Sequence, residues 1–118
     1  MDKKQKGNLA EWAARLLLRL KGYRIVDKNY VTGRGFGCGE IDIIALKRRT
    51  IVFVEVKDRK TFVDALYAIK PAQQKRIIKA AEVYLARRPC YKGYDVRFDA
   101  VFVSGFKVCH IKNAFCEN

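Results

Sequence analysis

The sequence predicts an α/β fold: a central β-sheet of mixed strand direction, flanked by helices. Three observations predict it. The chain has 118 residues, room for one domain core. Half of the residues are apolar or aromatic, enough for a folded interior rather than disorder. Apolar residues recur at helical spacing in two segments, and short β-rich runs stand between and after them. The resulting order is helix, three strands, helix, two strands.

The first helix starts near Asn8, with Leu9, Trp12, Ala13, Leu16, Leu17 and Leu20 at helical spacing, and Lys21-Gly22 ends it. Tyr23 to Tyr30 reads as a strand. A glycine-rich stretch follows, with Gly33, Gly35, Gly37 and Gly39 at every second position. Ile41 to Leu46 and Thr50 to Lys57 are two β-rich runs joined by the basic turn Lys47-Arg48-Arg49, and so short a connection makes them an antiparallel hairpin. Pro71 is suited to open a second helix, which runs to about Arg87. Ile77, Ile78, Ala81, Tyr84 and Leu85 form its apolar face, with Lys75, Arg76 and Lys79 largely away from it. Pro89 stops that helix, and Tyr91 to Tyr94 reads as a turn. Val96 to Val103 is a further strand, and Val108 to Ile111 a short last one. No internal repeat or low-complexity run interrupts this order.

Charge narrows the function. Lysine and arginine number 25 against 12 acidic residues, a formal net charge of +13. Such a field has three usual partners: nucleic acid, an anionic membrane or an acidic protein. The longest apolar runs are only a few residues, too short to span a bilayer, and the start of the chain lacks the apolar core of a signal peptide. Nucleic acid and a cytoplasmic location are therefore the expectation. A domain of this size has a modest core, and pairing with a second copy as a homodimer would add to its stability. Cys38, Cys90, Cys109 and Cys116 include no C-x-x-C pair, and His110 is the only histidine, so metal-finger spacing is absent. In a reducing compartment these cysteines are thiols. His110 reads as structural rather than catalytic.

The chemistry is concentrated in the hairpin. Side chains alternate across a strand, so Ile51, Phe53, Glu55 and Lys57 share one face while Val52, Val54 and Val56 share the other. Burying a carboxylate and an ammonium on an apolar face is costly unless they are paired or bound to a metal. In the preceding strand Glu40 and Asp42 fall on one face with Ile44 and Leu46. The start of the first strand lies beside the end of the second, so Glu40 and Asp42 approach Glu55 and Lys57. Carboxylates gathered at one sheet edge repel each other, and a hard cation such as Mg2+ is the natural remedy. Asp42 and Glu55 as metal ligands, with Lys57 beside them, make a minimal set for phosphodiester hydrolysis. The alternative is a plain Glu55–Lys57 pair on a half-polar strand end.

Asp42-Ile-Ile-Ala followed by Phe53-Val-Glu55-Val-Lys57 and Arg59 resembles the D…E-x-K signature of nucleases with the restriction-endonuclease-like fold. Within that superfamily, Gly39 to Ala45 together with Phe53 to Lys57 is similar to the YraN family of small bacterial proteins. The likeness extends over Gly7 to Glu11, Lys75-Arg76 and Arg97 to Val101. The layout also resembles archaeal Holliday-junction resolvases. The resemblance implies an endonuclease dependent on Mg2+ or Mn2+ that acts on DNA, with branched or junction DNA as the resolvase-like substrate. The proline common before the superfamily's aspartate is Ile41 here.

Glu11 has two readings. The resemblance makes it a further catalytic carboxylate and metal ligand reaching in from the first helix; alternatively, Asn8 and Glu11 form a capping box. Glu40 is either an outer carboxylate of the site or a solvated turn residue. The glycine-rich stretch does not open a helix, so it is no phosphate-binding loop; it is flexible, or it lets backbone approach DNA. Arg34, Arg59, Lys75 and Arg76 are the expected nucleic-acid contacts, within a wider basic footprint of Lys47, Arg48, Arg49, Lys60 and Lys79. A binding module without efficient turnover, or a basic adaptor for an acidic protein, are the rival functions. Tyr23, Phe53, Phe98 and Phe102 sit in strand patterns and read as core.

Overall fold

The computed structural model describes residues 3–32 and 40–116, so the glycine-rich stretch, with Arg34 and Cys38, lies outside the described residues. Helix α1 (Lys3–Leu20) is followed by strands β1 (Arg24–Val31), β2 (Glu40–Lys47) and β3 (Thr50–Asp58). A short helix α2 (Phe62–Leu66) and helix α3 (Pro71–Ala86) lead through a 3-10 turn at Pro89–Tyr91 into β4 (Asp95–Ser104) and β5 (Lys107–Phe115). The five strands form one sheet in sequence order. β3 and β4 run parallel, from Thr50↔Asp95 to Asp58↔Val103. The other neighbours are antiparallel, so the sheet is mixed as the sequence predicts.

Two cores sandwich this sheet. On one face Ile44, Leu46, Ile51 and Phe53 pack with Ile77, Ala81 and Tyr84 of α3. On the other, Ile43, Ala45, Val52 and Val54 pack with Ala10, Ala14 and Leu18 of α1. The alternation expected for β3 is therefore the observed one. Tyr23, Phe53, Phe98 and Phe102 are all buried, as core rather than base-stacking residues.

Three expectations need correcting. The first is α1, which begins at Lys3 rather than near Asn8, and it turns a different stripe inward. Ala10, Ala14 and Leu18 are buried, whereas Trp12 is 56% and Leu20 78% exposed, with Leu9 and Leu16 also exposed. Both stripes have helical spacing; small side chains at the contact let the helix axis approach the sheet closely, which residue size alone does not reveal. The second is α2, which escaped periodicity because it is only five residues long; its N-cap Thr61 Oγ1 accepts from the Asp64 N–H at 3.1 Å. The third is β5, which reaches Phe115 rather than stopping near Ile111. A register shift opposite Phe98 and Ala100, and the left-handed Asn113 (φ 54°), mask its period.

That irregularity has a partner. Asp99 is fully buried in β4 and accepts from the Asn113 N–H at 2.9 Å. Arg97 binds both Asp99 oxygens, at 2.8 and 2.9 Å. His110 Nε2 lies 2.7 Å from Asp99 Oδ2, and Lys21 Nζ lies 2.7 Å from the other ring nitrogen. Arg97 also donates to the Tyr23 hydroxyl. The network ties β5 and the α1–β1 connection to the centre of the sheet, a structural role for His110. Burial pushes the Asp99 carboxyl up, but the hydrogen bonds from His110, Arg97 and Asn113 outweigh it and hold the pKa at about 2. Among the described residues Cys90, Cys109 and Cys116 form no disulfide. No helix among the described residues is long and apolar enough to cross a membrane.

Candidate functional site

The β2–β3 ladder runs from Lys47↔Thr50 at the turn to Ile43↔Val54. Beyond that pair, Asp42 Oδ2 accepts the Val56 N–H at 2.8 Å, so a side chain takes the place of a ladder carbonyl. Parity in β2 also ends here: Ile41 joins the cluster of Ile44 and Leu46 rather than that of Ile43. This local break turns the hairpin's open end into a polar site at the margin of a dry core.

Glu55 continues the α3-facing side of β3 and is only 5% exposed. Lys57 Nζ stands 3.4 Å from Glu55 Oε1. Gln73, in the first turns of α3, donates its amide to the same oxygen at 3.2 Å. Glu55 Oε2 is buried with no hydrogen-bond partner among the described residues. An orphaned carboxylate oxygen is expensive to bury, and it marks a place for a proton or a cation.

Asp42 is the neighbouring carboxyl. Burial first, and then the charge of Glu55, push its pKa up to about 8, against the pull of the Val56 N–H. Burial also raises Glu55, opposed by the Lys57 ammonium. The two carboxyls are neighbours that compete for a proton, and the competition favours Asp42. Without that proton, only a cation relieves their repulsion.

Glu11 comes from α1, on the opposite side of the sheet from α3. It is half-buried, and burial followed by the charges of Asp42 and Glu40 raises its pKa. Because α1 starts at Lys3, Glu11 lies inside the helix and is not the third residue of a capping box. Glu40 is exposed at the start of β2. With its amide nitrogen turned toward both groups, Asn29 donates to Glu11 Oε1 at 2.6 Å and to Glu40 Oε1 at 3.2 Å. Asp42, Glu55 and Lys57 thus meet directly, and Glu11 and Glu40 stand beside them. No group of three or more His, Cys, Asp or Glu side chains among the described residues is gathered tightly enough to enclose a metal ion. The donor set present is a carboxylate pair with flanking carboxylates. That suits magnesium, which keeps several waters and takes one or two protein carboxylates.

Arg59, Lys75 and Arg76 are exposed, the first just past β3 and the other two on α3. A groove of about 500 Å3 between α1 and the β4–β5 turn includes Arg59 and Lys60 but none of Glu11, Glu40, Asp42 or Glu55. The carboxylate chemistry lies outside it. Asn29 and Gln73 are absent from the residues the sequence singles out. Asparagine disfavours strands, so a lone Asn29 in a strand pattern was a signal. Gln73 carried none, since a polar residue near a helix start is unremarkable.

Fold and site define a small basic α/β protein with a carboxylate pair, one member buried and the other half-buried, and a lysine at the open end of a β-hairpin. The chain belongs to the uncharacterised protein family UPF0102, the YraN family, whose family model matches residues 10–103. A UPF0102 protein of Paramagnetospirillum magneticum is 44% identical over 112 residues, covering 94% of this chain and 87% of that protein. One from Rhodopseudomonas palustris is 48% identical over 100 residues, covering 85% and 75%. One from Methylocella silvestris is 48% identical over 104 residues, covering 88% and 81%.

Proposed function

We propose that the protein is a divalent-metal-dependent endonuclease of the restriction-endonuclease-like superfamily, hydrolysing phosphodiester bonds in DNA. The observation that carries this reading is the Asp42–Glu55 pair, Asp42 half-buried and Glu55 buried with its Oε2 unpartnered among the described residues, and the Lys57 ammonium beside it. Asp42 and Glu55 would hold Mg2+ or Mn2+, with Glu11 as a further ligand from α1. When bound, such an ion supplies Lewis acidity toward a phosphate oxygen and toward water. Lys57 is kept at the reacting edge by Glu55, where its ammonium orients the attacking water and offsets charge developing on the phosphate. Gln73 fixes the Glu55 carboxylate from α3, so the geometry does not depend on the metal alone. The net charge of +13, with Arg59, Lys75 and Arg76 exposed, attracts the phosphate backbone. Branched DNA is the substrate form to test first, by analogy with junction resolvases.

The second reading is a nucleic-acid-binding module of the same fold without efficient turnover. It is favoured by the lack of a three-carboxylate enclosure among the described residues. One assay separates the two. The protein is incubated with branched, single-stranded and duplex DNA and Mg2+ or Mn2+, beside Glu55→Ala and Lys57→Ala. The nuclease reading expects cleavage that both substitutions abolish. Salt-sensitive binding without cleavage selects the binding module, and cleavage that survives both substitutions removes the site assignment.

A further inference from the structure

Asn29 lies in β1 between Lys28, which pairs with Ile43, and Tyr30, which pairs with Ile41; it is therefore level with Asp42 across the strand pair. Its φ is 52°, in the left-handed region, although it sits within a β-strand. Non-glycine residues avoid that region, and asparagine is among the few that tolerate it. Such a backbone persists only where the surroundings hold it, and it is characteristic of functional sites. Here the kink aims the amide at two carboxylates from different elements, Glu11 of α1 and Glu40 of β2.

The chemistry of the amide suits this place. Its nitrogen carries two hydrogens, one for each carboxylate oxygen. It adds no positive charge, so it holds two anions without competing with a cation for the site. A lysine at the same position would repel a cation, and an aspartate would repel both carboxylates.

We infer that Asn29 is a positioning residue of the site, clamping Glu11 and Glu40 so that Glu11 is held beside Asp42, ready to join Asp42 and Glu55 around a divalent cation. The inference rests on the metal-binding reading of Asp42 and Glu55 proposed above. Its consequence is that Asn29 acts through Glu11, although it ligates nothing itself.

The test is calorimetric titration of the full chain with Mn2+, with the EPR spectrum of the bound ion as a second readout. The set is the wild type, Asn29→Gly, Glu11→Gln, the double variant and Asp42→Asn. Glycine accepts the left-handed backbone, so Asn29→Gly removes the amide while preserving the kink; its unfolding midpoint should stay near that of the wild type. Asn29→Gly is expected to weaken Mn2+ binding roughly tenfold, as loss of an outer partner of a metal ligand does. Its EPR spectrum should shift the same way as that of Glu11→Gln, and the double variant should lose little more than Glu11→Gln alone. Wild-type affinity in Asn29→Gly, or an equal further loss in the Glu11→Gln background, overturns the inference and leaves the metal reading standing. Absence of Mn2+ binding by the wild type, with Asp42→Asn indistinguishable from it, overturns both.

Discussion

The Asp42 carboxylate accepts the backbone N–H of Val56 at 2.8 Å, completing by side chain a ladder whose backbone pairing ends at Ile43 and Val54. The same carboxylate faces Glu55, so the residue that closes the sheet also carries its least comfortable charge. This double duty governs how the protein should respond to pH and to metal.

Asp42 has an ordinary pKa of 3.8 and is raised to about 8 in the folded chain. Glu55 is raised as well. The folded state therefore binds more protons than the unfolded state across this window. The stabilising contribution is complete below pH 3.8 and is lost as the pH rises through about 8. Urea unfolding without metal at pH 5, 6, 7 and 8 should give declining stability over this series. Magnesium should flatten the decline, because a cation replaces the missing proton. Asp42→Asn should reduce the slope, leaving the part due to Glu55, and remove the effect of magnesium. Metal-free stability that rises over this pH range contradicts the paired-carboxylate account.

Glu55 and Lys57 should separate in their effects. Glu55→Gln takes away a proposed ligand and the partner of Lys57, so Mn2+ binding and cleavage should both be lost. Lys57→Ala should keep Mn2+ binding while lowering the single-turnover cleavage rate by about 10²–10³, as loss of a transition-state donor does. Calorimetry and cleavage kinetics on the same preparations check this. Equal loss of metal affinity in both variants argues that Lys57 only supports Glu55.

The basic surface makes a different kind of prediction. A cation touching a duplex phosphate contributes about 0.9 to the slope of log K against log salt. Arg59→Ala, and Lys75→Ala combined with Arg76→Ala, should each flatten that slope, by about 1 and about 2 in turn, on every DNA sequence tried. Fluorescence anisotropy across a salt series measures it. An unchanged slope assigns those side chains to plain solvated surface.

The Asp99 network should matter for stability alone. His110→Ala deprives a buried carboxylate of one partner, a loss of about 1–3 kcal/mol in unfolding free energy. Because the Asp99 pKa is depressed to about 2, its contribution is present above 3.8 and fades as the pH falls toward 2. Asp99→Asn should accordingly flatten the acid side of the stability profile. Mn2+ affinity should be unchanged in both variants; a change in it would couple the network to the site.

Local pattern determined a good part of this protein. Alternation in Thr50 to Lys57 placed Glu55 on the face of Phe53, and the two-residue connection between Lys47 and Thr50 forced Asp42 toward it. The reading of Glu55 holds because side-chain direction in an unbroken strand follows residue parity, whereas Asp42 lies where parity in β2 breaks and is brought near by the short turn. The same local logic misplaced the inward face of α1, since a helix with two apolar stripes does not announce which one the sheet accepts.

The chain by itself determined the strand order of the hairpin and the nearness of Asp42 to Glu55 and Lys57, because a short turn and the parity of β3 leave little freedom. Only the tertiary structure decided that Gln73 reaches Glu55 from α3, that Glu11 lies inside its helix rather than capping it, and that Asn29 joins Glu11 to Glu40. Those contacts depend on how helices dock across the sheet and on one left-handed residue, and neither is encoded in the spacing of any single segment.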